Sequence, residues 1–418
     1  MLRPIRRLPL AIGPRIRGIR SNSSDSRQQF LQEYKVRSSL ERLIHHYASE
    51  PLTKLSISTI LEQSEKLNST YVLQSARETI EQLLAYNARR LRQFRDLPYL
   101  VMLNPSISDS YNTYLKTMSV LLTASLHPPC TMEETRRLRE DVLQSFMDVH
   151  ADALPVLSKG FGEVLHLLSV DKVKNFLDEH LRERVSMRLI AHQQISLTDS
   201  LIDGTYKEGS PYNGIVKPLD IREVIKRNAE LVNDICLMKY DQSVKVKIDT
   251  NLHPPNFWTS KDEPAVSNPE EPLMFPYIEF HLDYILMELF KNSFRAHIEK
   301  GVPDPVQVTV SISENPSFLE MRIRDKGKGI PPQALNHVFD YSFSTYESGE
   351  GESYKTLNVP PGEAGNTVAG MGYGLPLSKN YVEIFNDSAD LEEPAKGSLT
   401  VQSYYGWGTD VYLKTVGS

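Results

Sequence analysis

The chain has 418 residues, 40% of them hydrophobic and 24% charged, with a formal net charge of −6 and two cysteines. That length exceeds one ordinary core and implies two domains, and the composition is that of a globular protein rather than a disordered one. No apolar run approaches about eighteen residues, which excludes a bilayer-spanning helix. Cys130 and Cys236 are isolated, with no CxxC and no paired His, which argues against a disulfide framework or a zinc site. Both are expected as buried free thiols.

Residues 1–24 carry Arg3, Arg6, Arg7, Arg15, Arg17 and Arg20, have no acidic residue, and end in Ser21, Ser23 and Ser24. Arginine- and serine-rich, acid-poor segments with interleaved Leu and Ile are transit peptides, so a mitochondrial leader is expected here. Without those arginines the remaining chain has a charge of about −12, which disfavours a nucleic-acid partner.

From 25 to 203 the sequence is poor in glycine and reads as long amphipathic segments broken near Glu50-Pro51, Asn104-Pro105 and His127-Pro128-Pro129. Leu40, Leu43, Ile44 and Tyr47, then Phe176, Leu181, Val185, Met187, Leu189 and Ile190, recur at helical period. Such stripes are the core of an all-helical bundle. Between 204 and 215 the composition turns to Gly, Pro and Asn, which marks a linker.

Residues 216–418 form the second domain. A helix is expected near Ile221 to Lys239, then a strand at Val244, Val246 and Ile248, then a proline-rich insertion from His253 to Pro272. Val306, Val308, Val310 and Ile312, followed after Asn315-Pro316-Ser317 by Leu319, Met321 and Ile323, predict a β-hairpin, and a second antiparallel pair is expected around Tyr404 to Gly408. Helices over one face of this mixed sheet make an α/β sandwich, with consecutive strands joined by short turns rather than crossover helices.

Four short stretches in this half carry chemistry: Glu288-Leu-Phe-Lys-Asn292, Asp325-Lys-Gly327-Lys-Gly329, Phe339-Asp-Tyr-Ser-Phe343-Ser-Thr345 and Gly370-Met371-Gly372-Tyr373-Gly374-Leu375. Each is weak alone. In this order they describe an ATP pocket. The helix from Phe280 to Ile298 turns Leu282, Ile285, Leu286, Leu289 and Phe290 to the sheet, while Tyr284, Glu288, Asn292 and Arg295 share another stripe offering a base, an oxygen ligand and a cation. Asp325 ends a strand, where it can accept the exocyclic amine of adenine, and its glycines let backbone approach a ligand. Gly370 to Leu375 opens a helix with Pro376 in its first turn, so its N–H groups and dipole can hold phosphate oxygens. Residues 346–369, rich in Gly, Glu and Ser, are expected as a lid over the nucleotide. There is no GxxxxGK[ST], HRDxxxxN, DFG, GxSxG or HExxH, which excludes P-loop enzymes and ordinary protein kinases.

These stretches resemble the ATP-binding (GHKL, or Bergerat) fold shared by gyrase, the Hsp90 chaperone, histidine kinases and MutL. Glu288 to Ala296, Tyr341 to Thr345, Gly370 to Pro376 and Gly408 to Leu413, with Leu97-Pro-Tyr-Leu and Phe176-Leu-Asp in the helical half, resemble the mitochondrial 2-oxo acid dehydrogenase kinases. The resemblance implies a matrix protein-serine kinase that inactivates a dehydrogenase, pyruvate dehydrogenase first and the branched-chain enzyme as the alternative. It implies a helical half that docks a lipoyl domain, and a homodimer or a hetero-oligomer with a related kinase. By position, Glu288 is the general base and Asn292 the Mg²⁺ ligand. Asp325 and Thr409 hold adenine, with Gly327 and Gly329 beside them. Arg295, Ser344, Thr345 and Gly370 to Leu375 surround the ATP phosphates. Pyruvate-type members carry His where Tyr284 stands, and their C-terminal Asp-Trp pair is absent; both features lean to the branched-chain type. A histidine autokinase would need a His beside an acid, which His192 in Ala191-His-Gln-Gln lacks. A chaperone or repair ATPase would need a transducer domain after Leu375, and a non-catalytic scaffold would not need both Glu288 and Asn292.

Overall fold

The computed structural model describes residues 23–150, 153–250, 272–340, 374–387 and 396–417. Residues 1–22 of the expected leader, the insertion after Thr250, the proposed lid, and Ser344, Thr345, Gly370, Met371, Gly372 and Tyr373 lie outside them.

The first half is helical: α1 (Ser23–Ser49), α2 (Ile57–Glu65), α3 (Ser69–Arg95), α4 (Tyr99–Met102), α5 (Pro105–Leu126), α6 (Met132–Arg137), a π-wound stretch (Leu138–Gln144), α7 (Ser145–Val149), α8 (Ala153–Val164) and α9 (Val170–Ile202). Local chemistry sets the starts. Asn68 Oδ1 accepts the Thr70 and Tyr71 N–H groups, Ser169 caps α9, and Asn104 caps α5 with Pro105 in its first turn, each satisfying donors a helix leaves open. Phe94 is fully buried at the centre of the bundle, with Tyr111, Tyr114, Phe176 and His180 around its ring.

A buried polar network runs through that core. Thr117 Oγ1 lies 2.8 Å from His150 Nε2, Tyr114 Oη 3.1 Å from His180 Nε2, and Arg184 Nη2 donates to the His150 carbonyl at 3.0 Å. Burial, helped by the Arg184 and Arg188 charges, lowers the His150 pKa to about 3.

Cys236 is buried as expected, but Cys130 is exposed. It sits in the turn between His127 and the Thr131 cap of α6, where its Sγ meets the Pro128 carbonyl at 3.5 Å and Arg77 at 3.6 Å. The turn buries Pro129 and leaves Cys130 at the surface.

Helix α9 belongs to both halves. Phe176, Met187, Ala191 and Ile195 pack in the helical core, while Leu181, Val185 and Leu189, one turn apart on another face, pack with Ile221, Ile285 and Leu286 beyond residue 216. The 204–215 stretch is correspondingly tied down: Asn213 Nδ2 donates to the carbonyls of Ser64, Lys207 and Ser210 at 3.1, 2.8 and 2.9 Å.

The second half contains β1 (Val216–Asp220), α10 (Ile221–Tyr240), β2 (Val246–Thr250), β3 (Met274–Ile278), α11 (Glu279–Lys300), β4 (Val306–Glu314), β5 (Ser317–Asp325), α12 (Pro332–Leu335), α13 (Gly374–Glu383), β6 (Ser398–Tyr404) and β7 (Gly408–Val416). Among the described residues, one sheet has the order β2-β4-β5-β7-β6 and a second pairs β1 with β3. The hairpin register sets Val308 opposite Ile323 and Val310 opposite Met321, and all four are buried under α11. Two features differ from the sequence reading. β2 and β4 pair in parallel, so α11 is a crossover, as parallel neighbours require. The β1–β3 ribbon puts Pro218 opposite Pro276; proline masks a strand in sequence, yet a two-stranded ribbon has only edges, which tolerate it.

Candidate functional site

Helix α11 positions most of the site. Leu282, Ile285, Leu286, Leu289 and Phe290 are buried against the sheet, which fixes the helix's rotation and therefore where its remaining faces point. β3 runs directly into it, and Gly301, left-handed at φ 70°, ends it.

Glu288 is 7% exposed, and Lys291 one turn on forms an ion pair with its Oε1. The first residue of α13, Gly374, lies so close that a Cβ there would stand 3.0 Å from Glu288 Cδ and closer still to Oε2. A Cβ at this position would push the carboxylate aside, so the start of α13 rests on Glu288. Tyr284, one turn before Glu288, packs its ring against Tyr381 of α13 at 5.2 Å.

Asn292 is exposed, and its carboxamide makes no hydrogen bond among the described residues. A single uncommitted neutral oxygen suits Mg²⁺, which keeps most of its waters and takes phosphate oxygens as its other ligands. Arg295 pairs with Glu299 at 2.6 Å, holding its guanidinium along the same helix.

At the other end of α11 lies Asp325, 7% exposed at the end of β5. Its Oδ1 accepts the Gly327 N–H at 2.8 Å and the Thr409 N–H at 3.3 Å. Burial pushes its carboxyl up to about 6, against those two hydrogen bonds, which pull it down. Oδ2 takes no hydrogen bond among the described residues, leaving an acceptor for an amine. Thr409 faces Asp325 in the β5–β7 register, and its Oγ1 lies 3.0 Å from Ser403 Oγ. Gly327 packs on Ala296, and a Cβ there would stand 2.9 Å from Asp325 Oδ1. Gly329, at φ 72°, presses on the Tyr404 carbonyl. Lacking side chains, Gly327 lets the loop approach α11 and Gly329 lets it approach the β6–β7 turn.

Glu288, Asn292 and Arg295 thus lie along α11, Gly374 at the start of α13 meets its middle turns with Leu375 next in chain, and Asp325, Gly327, Gly329 and Thr409 gather near its C-terminal end. From Glu288 to Ala296 is about 12 Å of helix axis, comparable with an extended nucleoside triphosphate. Sequence reasoning missed Lys291, whose partner one turn back reads as an ordinary helical pair. It also missed His297, Lys300 and Ser403, whose partners are remote in sequence. Among the described residues no group of three or more His, Cys, Asp or Glu could hold a metal, and no helix is long and apolar enough to cross a membrane.

A buried carboxylate at a helix's start, an amide oxygen one turn on and a DxGxG carboxylate at the strand end define an ATP-binding domain of the histidine kinase, gyrase and Hsp90 class. The family model described as histidine kinase-, DNA gyrase B- and HSP90-like ATPase matches residues 278–416. That for mitochondrial branched-chain alpha-ketoacid dehydrogenase kinase matches residues 54–217. The chain is 33% identical over 394 residues to [pyruvate dehydrogenase (acetyl-transferring)] kinase 1, mitochondrial, of Saccharomyces cerevisiae, covering 94% of this chain and 91% of the yeast protein. It is 28% identical to the rat kinase isozyme 1 (79% of this chain, 70% of the rat protein) and 28% identical to the mouse isozyme 4 (79% and 74%). The chain belongs to the mitochondrial 2-oxo acid dehydrogenase kinase family.

Proposed function

We propose that the protein is a mitochondrial matrix protein-serine kinase that phosphorylates and thereby inactivates pyruvate dehydrogenase. The placement of Glu288 carries this reading: a buried carboxylate against the first residue of α13, on a helix whose Ala296, about 12 Å of axis further on, packs against the loop of the carboxylate suited to adenine. The names of the yeast, rat and mouse relatives support the substrate. Residues 1–24 direct import, residues 25–203 dock a lipoyl domain of the complex, residues 204–215 join the halves, and residues 216–418 hold the catalytic machinery. A homodimer, or a pairing with a related kinase, completes the assembly.

Asp325, through Oδ2, accepts the adenine amine, and Thr409 stands beside it. Arg295, Ser344, Thr345 and the backbone from Gly370 to Leu375 take the phosphates, helped by the α13 dipole. Asn292 Oδ1 is the oxygen offered to Mg²⁺, which when bound neutralises charge on the terminal phosphates. The serine hydroxyl oxygen attacks the γ-phosphorus, the bond to the β-phosphate oxygen breaks to release ADP, and the hydroxyl proton passes to the Glu288 carboxylate. Alignment and charge stabilisation are the main demands of phosphoryl transfer, and Glu288 must reach the acceptor oxygen directly or through one water.

The second reading, a branched-chain dehydrogenase kinase, is favoured by the family model over 54–217 and by Tyr284 in place of a histidine. Incubation with ATP, Mg²⁺ and each purified dehydrogenase separates the two. Phosphoserine and loss of activity on pyruvate dehydrogenase are expected; modification of the branched-chain enzyme alone favours the second reading. ATP hydrolysis with neither enzyme modified overturns both.

A further inference from the structure

The last turn of α11 does something the nucleotide site needs and no catalytic motif records. Lys300 Nζ donates to three backbone carbonyls: Lys326 at 2.9 Å, Gly327 at 3.0 Å and Gly406 at 3.0 Å. An ammonium has three protons, so its donors are fully used. Two of those carbonyls belong to the Asp325–Gly329 loop and the third to the β6–β7 turn, whose Gly406 N–H in turn donates to the Lys328 carbonyl. One turn earlier, His297 Nε2 accepts the Lys326 N–H at 2.8 Å.

These contacts act on successive peptide planes. In a trans peptide the C=O and N–H point in opposite directions. The Lys326–Gly327 peptide is therefore gripped from both sides, its carbonyl on Lys300 and its N–H on Asp325 Oδ1. The preceding Asp325–Lys326 peptide is held by His297. With both planes fixed, Oδ1 is committed to the loop and to Thr409, and Oδ2 keeps no hydrogen bond among the described residues. Burial first, and then the Lys326 and Lys300 charges, lower the His297 pKa against the pull of Asp304, so its ring stays an acceptor at neutral pH. The cation also lies at the C-terminus of α11, where the helix dipole favours it.

We propose that His297 and Lys300 are positioning residues for the nucleotide, clamping the Asp325 loop so that the carboxylate's uncommitted oxygen reads the exocyclic amine of adenine. The inference deepens the proposed function and rests on its reading of Asp325 as the adenine ligand. It makes α11 a single ruler, with the proton acceptor and metal ligand on its middle turns and the base-reading loop fastened to its end.

The test uses the full chain and calorimetric Kd values for ADP and IDP, whose hypoxanthine has a carbonyl where adenine has the amine, together with the KM for ATP and kcat. Lys300→Met and His297→Leu are expected to raise the ADP Kd and the ATP KM about fivefold, with kcat at saturating ATP within about twofold. The preference for ADP over IDP should shrink by the same factor, and His297→Gln, which keeps an acceptor, should bind like wild type. If Lys300→Met and His297→Leu leave that preference within about twofold of wild type while Asp325→Asn abolishes it, the clamp is wrong and the nucleotide site stands. Equal weakening of ADP and IDP, or failure of His297→Gln to rescue, also overturns the clamp, because either marks general loosening of the fold. A wild type that binds no ADP strikes the nucleotide-site reading itself, and the clamp with it.

Discussion

Replacing Asp325 by Asn should make the protein more stable and worse at binding nucleotide. The carboxyl is 7% exposed and its pKa rises from 3.8 to about 6 on folding, chiefly through burial, a difference worth about 3 kcal/mol against the ionised form. The folded-state value lies above the unfolded one, so this penalty is absent below pH 3.8, grows between 3.8 and about 6, and is fully present above 6. Asn carries no charge and keeps an oxygen for the Gly327 and Thr409 N–H groups. At pH 7.5 the variant should therefore gain about 1–3 kcal/mol, raising Tm by about 2–4 °C per kcal/mol in a domain of this size. Oδ2 becomes an NH₂ facing the adenine amine, donor against donor. Losing a charged hydrogen bond of about 1.5–3 kcal/mol should raise the ADP Kd about 10- to 100-fold. Wild-type ADP affinity should also fall about tenfold from pH 7 to pH 5 as Asp325 protonates. The variant, subject only to titration of the phosphates, should fall less. Calorimetry and thermal melts from pH 5 to 8 measure all of this; a variant with lower Tm and unchanged ADP affinity and pH dependence would refute the reasoning.

Two further perturbations read other parts of the account. Gly374→Ala puts a Cβ against the Glu288 carboxylate, and a displacement of that kind should lower kcat about 10²-fold with the melting profile retained; unchanged kcat would show that the carboxylate's place is immaterial. His150 is buried neutral, its pKa lowered from 6.5 to about 3, so its contribution is complete above 6.5 and is lost progressively as pH falls below that value. Urea unfolding should show stability dropping from pH 6.5 to 4.5, and His150→Gln, which can still meet Thr117, should reduce that slope by about 1 kcal/mol per pH unit. An equal slope in the variant would assign the acid sensitivity elsewhere.

What was readable in the sequence was local. The apolar period from Leu282 to Phe290 located α11, alternation located β4 and β5, and the order of the Glu288, Asp325 and glycine-rich stretches pointed to the class of ATP-binding domain that the family model matches over 278–416. What was not readable depends on partners remote in sequence. Lys300 looks like any terminal-turn lysine until residues 326, 327 and 406 are folded around it. The two working faces of α9 merge into one apolar stripe in sequence, because a long helix that divides two cores is hydrophobic on more than one side. β1 and β3 were hidden by their prolines. Cys130 was misjudged because composition reports a residue's usual burial, while the turn after Pro128-Pro129 decides this one.

The central claim is that Glu288 takes the proton of an acceptor serine rather than serving nucleotide binding or the fold. Phosphate transfer from labelled ATP to pyruvate dehydrogenase, measured for wild type and Glu288→Gln beside the ADP Kd of each, tests it most directly. The account predicts transfer slowed by about 10²- to 10⁴-fold with the ADP Kd within about threefold, because Gln keeps the shape of the side chain in contact with Gly374. Transfer at the wild-type rate, or loss of transfer matched by an equal loss of ADP binding, would contradict it.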